Sequence, residues 1–409
     1  MSETIRNPDL GGSVPTHVPA ALVYDYDFFL GQRGMSAPQM ELGKKLHAEA
    51  PAIFYTPKNG GHWVVTRAAQ AKDVLGQPDK FSSQMKHLPH RAATNSISLL
   101  PINLDPPSHT DARKIIMPMF SPGAVATMRD RIRETAASYI DRVVDRGSCE
   151  FVSEIGHQFP INIFMMLVDG SMADRDLLVG MTERYMHSPE PAKRAAGFKD
   201  LSTFLGAMID QRRLHPGDDL ISRILAGSIL GQPLTNDEIL GEVILVYLAG
   251  LDTVAGMLTF VIHHLARHPE QYKELVANPG RVPEVIEELI RVCGVAVIER
   301  GVANDMEFQG ITLKQNDRVV IMLPLAGVDD TVTQCPFKVD LDRKGSQHMA
   351  FGWGPHHCIG SHLARVEIRI FLEEWIKRIP SFRVREGANF VVGGGQTWTV
   401  DNLPLLWPA

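Results

Sequence analysis

Cys358 sits in the segment Phe351-Gly352-Trp353-Gly354-Pro355-His356-His357-Cys358-Ile359-Gly360. A helical pattern follows it, with apolar residues at Leu363, Val366, Ile370, Leu372 and Trp375. A cysteine just ahead of a helix meets orphan amide N–H groups and the positive end of the helix dipole, so a lowered thiol pKa is expected. Gly352 and Gly354 let the backbone approach a bulky flat object and turn N–H groups toward sulfur. Two chemistries use such a thiolate, metal ligation and nucleophilic attack; a buried structural cysteine is the plain alternative. Zinc held by His356, His357, Cys358 and His362 is disfavoured, because three consecutive residues do not readily converge on one tetrahedral ion.

Further candidates lie upstream. Asp252-Thr253 interrupts an apolar stretch, Ile-Leu-Val-Tyr-Leu-Ala-Gly before it and Val-Ala-Gly-Met-Leu after it. A carboxylate there needs a partner or water. Thr253 can bond back to the carbonyl of Ala249, and Gly250 removes a side chain beside them. Glu288 and Arg291 stand three apart, on one helix face, and can form an ion pair. His109 and Arg113 share a face at i,i+4 spacing.

These residues need elements to position them. The pattern predicts a helix of about 30 residues from Asn236 to Arg267, roughly 45 Å long. Thr235 and Glu238 form a capping box at its start, and His268-Pro269 ends it. A second helix is expected over Pro283–Val292 and a third after Cys358. Residues 50–76 read as two short strands, Ala52–Tyr55 and His62–Thr66, joined by a turn at 58–61. Helical patterning dominates 111–291, while 295–325 and 381–406 read as short strands and turns. The class is mainly α with a minor β portion. Residues 1–40 form an irregular arm, and the absence of a Ser/Gly linker predicts one domain over 1–409.

Composition narrows the function. The 409 residues are 44% hydrophobic and 22% charged with net charge −6, which excludes disorder and argues against a nucleic-acid binder working by bulk positive charge. Cys149, Cys293 and Cys335 are too irregularly spaced for a disulfide framework or zinc pair and are read as packing residues. The first 20 residues lack an apolar core, so neither a secretory signal nor a membrane anchor is expected, and the protein is placed in the cytoplasm.

Phe351-x-x-Gly354-x-x-x-Cys358-x-Gly360 resembles the haem-binding segment of the cytochromes P450. Glu288-x-x-Arg291 is similar to that family's ExxR pair, and Ala249-Gly250-Leu251-Asp252-Thr253 to its oxygen-activating segment. Within the family the chain most resembles the bacterial camphor-hydroxylase group, through His362-Leu363-Ala364-Arg365, Arg378-Ile379-Pro380 and the closing Leu403-Pro404-Leu405-Leu406-Trp407. The resemblance implies a triangular helical prism with haem b between the long helix and the cysteine helix. It makes Cys358 the axial ligand of the haem iron and Asp252 and Thr253 a proton relay. Glu288 and Arg291 become a structural pair buttressing the cysteine loop. His109, Arg113, Arg300 and His356 become partners of the haem propionates.

It also implies a monooxygenase that takes O2 and two electrons from NAD(P)H. No Gly-rich dinucleotide fingerprint and no iron–sulfur cysteine set is present, so a [2Fe–2S] ferredoxin and its reductase are expected as partners. Arg113, Lys114, Arg343 and Lys344 would offer the acidic ferredoxin a basic patch. Ile97, Leu99, Leu245, Leu248, Ala249, Val295 and Ala296 are expected to line an apolar substrate pocket. His87, His90, Gln396 and Thr397 are alternative polar handles, with a solvent-exposed loop preferred for His90. Ile97 stands where the camphor-oxidising relative carries a tyrosine, which points to a larger or less polar terpenoid or norisoprenoid. A peroxide-driven hydroxylase is the alternative enzyme, disfavoured by the intact Asp252-Thr253 pair. A haem-thiolate sensor without turnover is the non-enzymatic one.

Overall fold

The computed structural model describes residues 13–84, 97–186, 188 and 190–408; His87 and His90 lie outside them. The axis of the fold is the 32-residue helix Asn236–Arg267. Its start is a true capping box: Thr235 Oγ1 accepts from Glu238 N at 3.3 Å, and Glu238 Oε2 accepts from Thr235 N at 2.8 Å. It ends at His268, and Pro269 opens the next helix, Pro269–Ala277. By length and composition it could cross a membrane, yet most of its apolar stretch is buried inside the fold. Helices Phe159–Leu167, Pro191–Leu214 and Leu220–Leu225 pack along it. Tyr247, fully buried on it, shares a hydrogen bond with Thr182 of helix Arg175–Met186.

The expected helices at Val282–Val292 and Ser361–Arg378 are present. The latter packs on helix Pro122–Asp141 through an aromatic core that includes Phe151, Phe371 and Trp375. The two early strands appear as Ile53–Thr56 and His62–Val65, paired antiparallel. They form the edge of a five-stranded sheet whose next members are Arg318–Met322, Val297–Val302 and Phe81–Ser82. One reading needs correction. Residues 50–76 are not strands alone: Ala68–Leu75 is a helix that buries Ala71, Val74 and Leu75. Eight residues give too few turns to display a 3.6 period clearly in sequence.

Two charged groups fix the interior differently. Arg291 and Glu288 are both essentially unexposed and meet bidentately, with Nε to Oε2 and Nη2 to Oε1 each at 2.8 Å. The remaining guanidinium donors reach the carbonyls of Gly327, Pro336 and Lys338. Glu288 also accepts from Asp340 N and Ser346 Oγ, and Arg343 Nε lies 3.1 Å away. The pair therefore ties residues 327–346 to the helix; its direct bonds go to the segment before the cysteine loop.

Glu242, on the long helix, is the opposite case. It is fully buried, neither carboxylate oxygen has a hydrogen-bond partner, and burial raises its pKa to about 8. Burial likewise raises Glu367 to about 8. Both stay protonated in the folded chain while the unfolded chain loses those protons from about pH 4.5. Unfolding thus releases protons in this window, and stability falls as pH rises from about 4.5 to 8.

Two outcomes follow. Glu242→Met removes an unsatisfied buried polar group, worth about 1–3 kcal/mol. It should raise the thermal midpoint more at pH 8 than at pH 5, as read by circular dichroism. Arg291→Leu strands Glu288 without its partner and should cost about 3–5 kcal/mol. A denaturant titration should show that loss, or no soluble protein, whereas Arg291→Lys should retain part of the stability.

Candidate functional site

Cys358 lies three residues ahead of helix Ser361–Arg378. The loop before it folds back on itself: Gly352 and Gly354 take φ of 73° and 70°, left-handed values that suit glycine. Cys358 N donates to Phe351 O at 2.8 Å, and His357 N to Gly354 O at 3.0 Å. A side chain at Gly354 would collide with Leu75 O, so the loop rests directly on the end of helix Ala68–Leu75. Sequence reasoning assigned no bond to the next fastening. Glu287 binds Arg365 of the cysteine helix through both oxygens, at 2.7 and 3.0 Å, and lies 3.1 Å from His348 Nε2. Burial works against that carboxylate's charge, but His348 and Arg365 hold its pKa down to about 2. The Arg365 guanidinium lies 4.4 Å from the centre of the Phe351 ring. Arg365 was legible as part of a family-like segment; its partner, 78 positions earlier, was not.

In the chain without its cofactor the thiol pKa moves opposite to the expected lowering. Cys358 is exposed as a residue, yet the surrounding protein desolvates its thiol, and burial pushes the thiol pKa up. A Gly360 N–H, Arg113 and Arg365 pull the other way without prevailing. Sulfur in this setting favours its thiolate only when a cation binds it.

Four cationic or N–H-bearing residues gather beside this loop. His109 and His356 stack at 3.8 Å between ring centres. Both ring nitrogens of His109 are buried without a hydrogen-bond partner. Burial first, then Arg113 and Arg300, lower the His109 pKa to about 4. Burial first, then Arg300, His109 and Arg113, lower that of His356 to about 2. His356 Nε2 is 3.1 Å from Ser83 Oγ, and Ser83 N donates to Asp105. Arg300 comes from the sheet, opposite Val319, and burial lowers its pKa to about 10. The buried guanidinium of Arg300, the half-buried one of Arg113 and an orphaned imidazole fit the paired carboxylates of a haem. His356 is engaged in this stack, away from any four-ligand cluster with His357, Cys358 and His362. Among the described residues, the only group with metal-ligand spacing is His47, Asp329 and Asp330, and Arg67 binds both aspartates.

On the long helix, Ala249 and Gly250 are exposed although the segments around them are largely buried, and a Cβ on Gly250 would meet nothing within 4 Å. Thr253 Oγ1 donates to Ala249 O at 2.7 Å, the back-bond expected from sequence. Leu245 and Leu248 are half-buried beside this opening. Leu99 is half-buried, and Ile97 lies against Gly241 and lines a groove of about 460 Å³ with Phe198 and Leu240. Val295 is buried, close to Gly256. Ala296 is half-buried and bridges to Thr397 through the backbone. Gln396 is no free polar handle: its amide donates to Glu299 Oε1 at 3.1 Å.

The basic patch is also revised. Arg343 turns inward to Glu288 and to the carbonyls of Gln334, Cys335 and Lys338. Lys114 pairs with Asp111, and Lys344 is exposed 3.7 Å from Glu284. In the cysteine loop itself, Trp353 is exposed, with Lys72 Nζ 4.9 Å from the ring centre.

The family model described as Cytochrome P450 matches residues 199–385. A protein named probable cytochrome P450 127A1, from Sinorhizobium fredii, is 33% identical over 415 residues, spanning 100% of both chains. A steroid C26-monooxygenase of Mycolicibacterium smegmatis is 31% identical over 307 residues, covering 71% of this chain and 77% of its own. The solved structure of CYP101J2 superposes with a TM-score of 0.87 at 32% identity, covering 97% of this chain and 100% of that one. Similarity at this level, over the whole length of the chain, places it among the bacterial cytochromes P450, monooxygenases whose cofactor is a cysteine-ligated haem.

Proposed function

We propose that the protein hydroxylates an unactivated C–H bond of a small apolar molecule of the terpenoid or norisoprenoid class. The observation that carries this is the apolar character of Leu245 and Leu248, the half-buried side chains that the long helix sets beside Ala249 and Thr253. Burying apolar substrate surface against such residues is worth about 25 cal/mol per Å², so shape and hydrocarbon area govern binding. Gln396 is committed to Glu299, which leaves few polar handles and supports a substrate of low polarity.

Cys358 would ligate the haem iron through its thiolate, and Arg113, Arg300, His109 and His356 would hold the propionates. The bound haem supplies oxygen activation and C–H oxidation. One atom of O2 enters the C–H bond and the other leaves as water, with two electrons from NAD(P)H and two protons. Thr253 holds a hydroxyl at the opening, and Asp252 supplies it with protons. Leu245 and Leu248 exclude water. Electrons arrive from a [2Fe–2S] ferredoxin, reduced by its flavin reductase. Its docking face includes Trp353 and Lys72, because an exposed indole with a cation over it offers an acidic partner both an apolar and a charged contact. The chain acts as one domain in the cytoplasm. The intact Asp252-Thr253 pair favours this reading over a peroxide-driven one.

Two measurements test it. The reduced, carbon-monoxide-bound holoprotein should show the red-shifted Soret band of thiolate ligation, and Cys358→Ala should abolish both that band and turnover. In a terpenoid panel, ionone-like compounds should shift the haem spin state and be oxygenated with reduced ferredoxin. Tight coupling to camphor with no response to ionone-like compounds would overturn the substrate class.

A further inference from the structure

Thr253 and Asp252 are neighbours in sequence but open on different spaces. The Thr253 hydroxyl bonds back to Ala249, beside the opening. Asp252 lines a separate small cavity of about 10 Å³, shared with His157, Thr259 and Thr399. That volume admits about one water molecule.

The cavity owes its place to two close approaches. The irregular turn Val152–Gly156 lies against the long helix, where a Cβ on Gly156 would stand 3.4 Å from Thr259 Oγ1. On another side, a Cβ on Gly256 would stand 2.8 Å from Trp398 O, so the chain leading into strand Thr399–Val400 also touches the helix. His157 follows the turn, anchored by its N–H to Val152 O at 2.8 Å, and is half-buried. It lines the same cavity as Asp252, and imidazole is the side chain that ordinarily gains and loses a proton between pH 5 and 8.

We propose that His157 is the relay residue that feeds protons to Asp252 from behind the long helix. The inference rests on the reading of Asp252 and Thr253 as the proton-supplying pair. The imidazolium gives its N–H proton to the Asp252 carboxylate, directly or through one water. The resulting carboxylic acid passes a proton toward Thr253 and returns to carboxylate, and His157 is reprotonated from solvent. Over one turnover this path carries the two protons that the reaction consumes. The elements packed around that turn carry further charged groups: Glu150 of strand Ser148–Glu150, Glu154 of the turn itself, Asp141 and the following Arg142 at the end of helix Pro122–Asp141, and Asp401 after strand Thr399–Val400, which lines the cavity. Arg146 binds Glu154, and Arg378 binds Asp141. Helix Phe159–Leu167 contributes no titratable side chain.

The test uses the holoenzyme. In the reduced, carbon-monoxide-bound form, the His157 pKa is measured by NMR with labelled histidine, in the native chain and in Asp252→Asn. Loss of a neighbouring carboxylate should lower it by about half a unit or more. Turnover with β-ionone and reduced ferredoxin is then measured in H2O and D2O. His157→Gln should slow oxygen consumption several-fold, enlarge the solvent isotope effect and flatten the pH profile. The thermal midpoint and the carbon monoxide spectrum should not change. Asp252→Asn should slow turnover in the same way, and the double variant should be no slower than the slower single one. An unchanged His157 pKa in Asp252→Asn overturns the relay. So does a His157→Gln variant with native rate and isotope effect while Asp252→Asn is slow; the role of Asp252 then stands. If neither variant alters rate or isotope effect, the Asp252 reading fails and the relay with it.

Discussion

A sulfur that must carry charge has been placed where charge is expensive. The protein around Cys358 desolvates it enough to raise the thiol pKa, and the local aids to a thiolate are one backbone N–H and two arginines set back from it. Much else near the centre follows from that constraint. A cation at the sulfur resolves the cost, and the same cation's macrocycle brings two carboxylates that need partners. Arg113, Arg300 and the His109–His356 stack, the partners proposed for them, come from a helix, a strand and the cysteine loop itself. A cofactor held at these residues would link three distant parts of the chain, a contribution to folding as much as to chemistry.

The loop is held by two layers of ion pairing, and they do different jobs. Glu287 reaches Arg365 and His348 and so grips the cysteine helix and the loop's approach. Glu288, the next residue, lies on another face of the same helix and with Arg291 secures residues 327–346. A single helical turn therefore clamps both flanks of the cysteine segment. Pairs of this kind are costly to bury but costlier to break, so they serve definition of shape more than net stability.

Much of this was legible in the sequence because it is local. The capping box at Thr235 and Glu238, the stop at His268-Pro269, the Thr253 back-bond and the Cys358 loop all follow from residues within a few positions of one another. The failures are tertiary. Helix Ala68–Leu75 is short, and its apolar face is defined by contacts to distant elements. The thiol pKa was misjudged because a helix start argues for stabilised negative charge while desolvation, which depends on the whole fold, argues against it. Arg343 reads as a surface cation until Glu288, 55 positions earlier, turns it inward. His157 carries no motif at all; only the packing of Val152–Gly156 on the long helix brings it near Asp252.

The Arg291 guanidinium spends its donors on Glu288 and three backbone carbonyls. Because those acceptors are main chain, neighbouring side chains can drift while the scaffold of bonds persists. Exchanging the guanidinium or its carboxylate alone leaves a buried charge without its partner, so each single change costs more than the pair itself contributes. That small patch acts as one unit: what it fixes is the course of the main chain, whatever side chains line the path.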